Sequence, residues 1–261
     1  MSTLATPEAI AVATQIMGRL ASADVSLAPY TTLRVGGPAA LFVMATALDQ
    51  LNTVAAAVAA TGLPVLAIGQ GSNLLVSDDG FAGIVVVLGE PFAEIAIDAH
   101  SCVVTAGAAT KLPVLARRTV AASLRGLEWA VGVPGSVGGA VRMNAGGHGS
   151  DMAATLVSVD VIKMDAAPGE VLTVTAESLA LGYRSSVLGP AERAGNGVPS
   201  GDCAHARASR SRSNHPISGS RGAPRCTAIP WGMRRPIVPS AGRTSATPPR
   251  GVTVVVMSAS P

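Results

Sequence analysis

Gly126-Leu-Glu-Trp-Ala-Val-Gly-Val-Pro-Gly-Ser-Val-Gly-Gly-Ala-Val-Arg-Met-Asn-Ala-Gly-Gly-His-Gly149 is the stretch on which the reading of this chain turns. Seven glycines fall between positions 132 and 149, broken by one proline and little charge. Glycine loses more conformational freedom on folding than any other residue and offers no side chain to pack. Such density implies that a large flat ligand, or its phosphates, lies against bare backbone. Five of the nine positions 132–140 are Gly or Ala, which suits that role. A tight crossover of two backbones would ask for the same composition.

A second loop, Gly69-Gln-Gly-Ser-Asn-Leu-Leu-Val76, lies upstream and directly follows the apolar run 64–68. Backbone N–H groups at such a strand end can converge on an anion, with Ser72 and Asn73 adding side-chain donors. The loop is neither GxGxxG nor GxxxxGK[ST], and an ordinary turn between strands is the plain alternative. Two glycine loops within one small region point to a dinucleotide held at two places.

The chain has 261 residues, enough for one large or two small domains, with 48 % apolar and 13 % charged residues. That composition supports a real core and argues against wholesale disorder. No apolar run reaches the length of a membrane span. The start, Met1-Ser-Thr-Leu-Ala-Thr-Pro, lacks the basic and apolar segments of a signal peptide, so a cytoplasmic location is expected. Cys102, Cys203 and Cys226 are far apart and suit neither a disulfide framework nor a CxxC metal site. No metal is expected.

The net charge of +3 conceals an asymmetry. Residues 1–190 hold 9 Lys+Arg against 14 Asp+Glu, whereas residues 191–261 hold 10 Arg, no Lys and 2 acids. The tail is rich in Arg, Pro, Ser and Gly, and only residues 252–257 keep an apolar run. This is what a GC-rich coding region yields when read out of frame. The run 207–212 lacks aromatic interleaving and a folded platform, so nucleic-acid binding is not expected.

Ahead of the tail the periodicity alternates between helix and strand. Thr6-Pro7 reads as a cap and first helical residue, with Ile10, Ala13, Met17 and Leu20 on one face. Residues 30–38 read as a short strand running into a glycine turn, and 41–44 as a strand. Thr46 and Asp49 have capping-box spacing before a helix over 47–61, with Gly62 as its C′ residue. Strands are expected at 64–68, 84–88, 93–97 and 102–105. A helix capped by Thr110 covers 111–123, and strands follow at 156–164 and 171–175, joined by a turn at 167–170. This order suggests a small α/β layer first and an overall α+β fold.

Catalytic candidates are few. Tyr183-Arg184 pairs a hydrogen-bonding phenol with a guanidinium whose planar fork binds carboxylate or enolate oxygens, though a strand-end salt bridge would look the same. His148 could serve as acid or base, or stand exposed in its loop. Cys102 reads as core.

In order and spacing, Thr31-Thr-Leu-Arg-Val-Gly-Gly-Pro-Ala39, the loop 69–76, the segment 126–149 and Gly182-Tyr-Arg-Ser-Ser186 resemble the UDP-N-acetylenolpyruvoylglucosamine reductase family of peptidoglycan synthesis. The resemblance covers roughly residues 25–190. It implies a two-lobed FAD-binding domain of the vanillyl-alcohol-oxidase type, with lobes at 1–89 and 90–190 and an irregular tail at 191–261. FAD would be held by Gly69, Gln70, Gly71, Ser72, Asn73 and Leu74 in the first loop. In the second it would be held by Gly132, Pro134, Gly135, Ser136, Gly138, Gly139, Ala140, Asn144, Ala145 and Gly146. NADPH would be the hydride source and UDP-N-acetylglucosamine enolpyruvate the substrate, with Arg184 catalytic and Tyr183 substrate-binding. A monomer with no nucleic-acid or membrane partner is expected.

The sequence departs from the family in places. Leu181 stands where an aromatic is common. The family's third, substrate-binding domain supplies a proton-donating serine and a late glutamate. Here Ser218-Gly-Ser220 is followed by Arg-Gly, and Glu192 comes too early. A flavin-binding remnant without activity, and an unrelated FAD oxidase, therefore stay open beside the reductase.

Overall fold

The computed structural model describes residues 5–164 and 171–188, together with the backbone of the tail strands Cys203–Ala204 and Val255–Ser258. The expected turn at 167–170 and most of 191–261 lie outside the described residues.

The chain begins with α1 (Pro7–Met17). The Thr6 hydroxyl accepts the Ala9 N–H at 3.2 Å, and Pro7 sits where a missing N–H costs nothing. Ala13 and Met17 are buried, with Ile10 and Leu20 packed beside them, so the expected face is the buried one. Strand β1 (Ser22–Ser26) pairs antiparallel with β2 (Pro38–Ala45). Helix α2 (Leu48–Thr61) leads through Gly62 to β3 (Val65–Ile68), and β4 (Phe81–Leu88) completes a sheet of order β1-β2-β4-β3. Strand β4 runs parallel to both neighbours.

Two faces of this sheet are covered, which is why β4 reads as an unbroken apolar run. Ile84 and Val86 meet α1 and α2, while Val85 and Val87 join Leu27, Phe42 and Ile68 on the other side. The register slips between Ala39 and Leu41, so Ala39 shares a face with Phe42 in spite of the two-residue period.

The second half opens with β5 (Ile95–Asp98) and β6 (Val103–Ala106), an antiparallel pair. Asp98 closes the turn by accepting the Ser101 hydroxyl at 2.5 Å and the backbone N–H groups of His100 and Ser101. These bonds, the hydroxyl first, hold its carboxyl below the usual range. Helix α3 (Leu112–Ala121) lays Leu112, Leu115, Ala116 and Thr119 into the core at helical spacing.

Then come α4 (Val137–Met143), the small hairpin β7 (Gly146–Gly147) and β8 (Ser150–Asp151), α5 (Met152–Thr155), β9 (Leu156–Ile162) and β10 (Val171–Thr175). The tail adds β11 (Cys203–Ala204) and β12 (Val255–Ser258). The second sheet has the order β10-β9-β12-β6-β5 and is antiparallel throughout. One edge of β9 is taken by β10, and the other is shared by β12 near its start and β11 near its end. Ile162 and Met164 reach back into the core under α1 and α2, joining the two halves.

The architecture is α+β, as the alternation of helix and strand implied. Four local expectations need correction. Residues 31–37 form no strand: Thr31 donates to the carbonyls of Ala28 and Val35, curling the chain, and Leu33 is exposed. Gln50 takes the place of Asp49 at the start of α2, its side-chain oxygen accepting the Thr46 N–H at 2.7 Å. Thr110 caps nothing and donates instead to the Glu94 carbonyl at 3.5 Å. Cys102 is buried and disulfide-bonded to a partner whose side chain lies outside the described ones. Its wide spacing from the other cysteines gave no sign of this, since pairing depends on the fold.

Gly37 locks the corner between the first two strands and the turn at 77–80. Its N–H donates to Ser77 at 2.8 Å, and its carbonyl accepts from Leu27 at 3.1 Å. A Cβ there would run into the carbonyl of Asp78. Gly37→Ala is expected to lose about 1–3 kcal/mol, as overpacking against backbone does. Thermal unfolding followed by circular dichroism checks this, and an unchanged midpoint would show that the turn yields.

Candidate functional site

The two glycine loops, more than 60 residues apart in sequence, meet in the fold. Strand β3 ends at Ile68 and delivers residues 69–73 to the surface. Opposite them stands the run that enters α4. The Ser72 hydroxyl donates to the Pro134 carbonyl at 3.3 Å. A Cβ on Gly69 would strike the Ser136 hydroxyl, and one on Gly135, at φ 128°, would come within 3.1 Å of Ser72. Gly71 is equally constrained: at φ 61° a Cβ would collide with the Tyr30 carbonyl. Its own carbonyl accepts the Thr32 N–H at 3.2 Å.

A third segment clamps the second loop in place. Leu112 N–H donates to Gly135, while Val137 and Gly138 donate to Thr110 and Ala108, at 2.9–3.0 Å. These bonds fix the 134–139 backbone before any ligand arrives. The result is a cleft whose walls include Gly69, Gln70, Ser136, Gly138 and Gly139, with Ile68, Leu88 and Ala108 as apolar neighbours. Arg142 lines the same cleft. No feature of the sequence singled it out, although it is the one Lys, Arg, Asp or Glu between Glu128 and Asp151.

A second cleft, about 340 Å³, lies beyond α4 and is lined by Asn144, Gly146, Asp151, Tyr183 and Arg184 among others. Gly182 and Ser185 exchange backbone hydrogen bonds at 3.0 and 3.2 Å, which puts Tyr183 and Arg184 at the tip of a tight turn. Tyr183 is 93 % exposed. Arg184 sits at φ 54° with its guanidinium carbon 6.0 Å from the Tyr183 ring centre. For a bulky residue that backbone region costs about 1–3 kcal/mol, and such strain gathers at functional sites.

Asn144 ties this turn to the glycine segment. It terminates α4 at φ 41°, a conformation Asn tolerates. Its side-chain N–H₂ donates to Asp151 at 3.2 Å and to the Gly182 carbonyl at 3.0 Å, and its oxygen accepts the Ala153 N–H at 2.9 Å. Ser186, buried, donates to the Arg142 carbonyl at 2.7 Å. Asp151 and Ser186 were not singled out from the sequence; only Ser186 carried a signal, its place in the Tyr-Arg segment.

The remaining candidates stand behind the clefts. Leu74 is half-buried against the cluster that holds Leu27 and Phe42, and Ala140 and Ala145 belong to the main core. Gly132 lies against the exposed His148, 3.1 Å from its Nε2 by the position a Cβ would take. Asn73 is exposed. Among the described residues no three His, Cys, Asp or Glu side chains gather as a metal site, and no helix is long and apolar enough to cross a membrane.

The backbone-lined cleft suits a dinucleotide. A flat or phosphate-bearing ligand can approach where Gly69, Gly138 and Gly139 present no side chain, and Arg142 supplies a cation for an anionic part.

Comparison with known proteins gives the same picture. The chain is 44 % identical over 164 residues to UDP-N-acetylenolpyruvoylglucosamine reductase of Synechococcus sp. (strain WH7803), covering 63 % of this chain and 53 % of that protein. It is 43 % identical over 162 residues to the enzyme of that name from Anoxybacillus flavithermus, covering 62 % and 52 %. Among solved structures, the reductase of Thermus caldophilus matches with a TM-score of 0.53 at 38 % identity, over 64 % of this chain and 56 % of that one. The chain thus spans about half the length of the curated relatives it matches. The family model described as an FAD binding domain matches residues 39–175. This stretch holds strands β3, β4, β5, β6, β9 and β10 and both glycine loops, and the chain belongs to the FAD-binding-domain family.

Proposed function

We propose that this chain is the FAD-binding part of a cytoplasmic UDP-N-acetylenolpyruvoylglucosamine reductase, acting in peptidoglycan synthesis on UDP-N-acetylglucosamine enolpyruvate. The observation that carries this reading is the juxtaposition of a dinucleotide cleft with an adjoining cleft bordered by Tyr183 and Arg184, bridged by Asn144. Bound FAD supplies a two-electron carrier between NADPH and C3 of the enolpyruvyl group. The lobes at 1–89 and 90–190 are part of the same reading.

The chain's own residues have distinct work in this scheme. Residues 69–73 and 134–139 present backbone to the cofactor with little rearrangement: the 108–112 segment already holds 135–138, and the first loop is tied by the Thr32 N–H to the Gly71 carbonyl and by the Ser72 hydroxyl to Pro134. Hydride addition to C3 pushes negative charge toward the substrate carboxylate. A guanidinium aimed there stabilises the transition state more than the ground state. Arg184, at the tip of a turn fixed to α4 through Asn144, fits that role, and Tyr183 beside it can hydrogen-bond the sugar nucleotide. The acid that protonates C2 is assigned to no described residue.

An alternative reading keeps FAD binding and drops turnover. It draws on the same exposure: Tyr183 and Arg184 face solvent across the second cleft, with no described element closing over them.

The first experiment is the visible spectrum of the purified chain after incubation with FAD and desalting. Near-stoichiometric flavin bands are expected, and their absence counts against the cofactor reading. Turnover of the enolpyruvyl sugar nucleotide then separates reductase from remnant. Arg184→Ala is expected to keep FAD and to lower kcat by about 10²–10³-fold, as loss of one transition-state donor does. Loss of flavin in that variant would contradict its assignment. Asn144→Ala leaves the Gly182 carbonyl and the Ala153 N–H without their partner and is expected to cost about 1–3 kcal/mol of stability. Thermal unfolding with and without FAD reads this out.

A further inference from the structure

Among the described residues the dinucleotide cleft carries one charged side chain, and no ion pair among them engages it. Arg142 lies on α4, half-buried, lining the cleft with Gly69, Gln70, Ser136, Gly138 and Gly139. Among the described residues it has no carboxylate partner. Its backbone is pinned by the Ser186 hydroxyl on its carbonyl at 2.7 Å, so its stem leaves a fixed point. The N–H groups of Val137 and Gly138 are already committed to Thr110 and Ala108. The start of α4 therefore cannot spend those donors on an anion. The first loop can still offer backbone N–H groups, which carry no net charge, and among the described residues lining the cleft Arg142 is the one ionisable side chain that can supply a formal counter-charge.

FAD is neutral at its ring system and at adenosine, and carries its charge on the diphosphate alone. Resting on the cofactor reading above, we propose that Arg142 binds the FAD diphosphate and so sets where the dinucleotide crosses between the two glycine loops. A guanidinium suits this because its planar fork can hold two phosphate oxygens at once.

The test is FAD affinity of the full chain, read by quenching of flavin fluorescence across a range of NaCl concentrations, for wild type, Arg142→Gln and Arg142→Lys. At low salt R142Q is expected to bind FAD about 10- to 100-fold more weakly, as expected for loss of a hydrogen-bonded charge. Its binding should also depend less on salt, so that the gap to wild type narrows as salt rises. R142K keeps the charge on a flexible stem and should bind more tightly than R142Q with the salt dependence retained. Unliganded R142Q should unfold at the wild-type temperature. Equal affinity of R142Q and wild type overturns the role of Arg142 while leaving FAD binding in place. A loss that persists unchanged at high salt, or that R142K shares in full, overturns it in favour of packing. Failure of the wild-type chain to bind FAD overturns both readings.

Discussion

The structure depends on a close approach of two backbones. Residues 69–72 and 134–136 come so near that Gly69 can carry no Cβ without meeting Ser136, and Ser72 bonds the Pro134 carbonyl directly. Each loop leaves a well-packed scaffold. The first follows β3, whose Val65 and Ile68 are buried, and the second enters α4, whose Val137, Ala140 and Val141 are in the core. Loops on rigid elements can present unsupported backbone to a ligand at little entropic cost. The glycines are therefore less a sign of mobility than of crowding.

The same clamp bears on the role proposed for Arg142. Carbonyls from 108–110 take the first N–H groups of α4 and so fix its direction. Those N–H groups are then no longer available to an anion, and Arg142 stands one turn further along the helix. Asn144 then closes α4 and passes the geometry on. Its amide bonds Asp151, Gly182 and Ala153, so the Tyr183-Arg184 turn is held by the residue that ends the glycine segment. A buried amide with three partners is costly to disturb, because any freed group loses both water and protein contacts.

The tail is a more particular case. Its composition offered no element except the apolar run 252–257; the described part agrees at Val255–Ser258, which forms β12 between β6 and β9, and departs at Cys203–Ala204, which forms β11 on β9. A short apolar run identifies a strand, but its partners are chosen by which edges the rest of the sheet leaves unpaired.

The sequence by itself determined much of the succession of helices and strands, though not β1, α4 or α5, together with the α+β class and the fact that two glycine-rich segments and a Tyr-Arg pair are the places to look. These are local matters: a cap at Thr6, a left-handed stop at Gly62, apolar runs of strand length, glycine where backbone must come close. Tertiary structure decided the rest. It curled residues 31–37 away from the strand their Thr and Val content suggested, by giving Thr31 two carbonyls to bond. It sent Ala140 and Ala145 into the core, laid Leu74 half-buried against the cluster that holds Leu27 and Phe42, and brought Arg142 to the cleft. Which neighbour of a glycine faces a ligand and which faces the core depends on the direction of the chain in space. That direction is fixed by hydrogen bonds between segments far apart in sequence, such as 108–112 with 135–138 and Asn144 with Gly182.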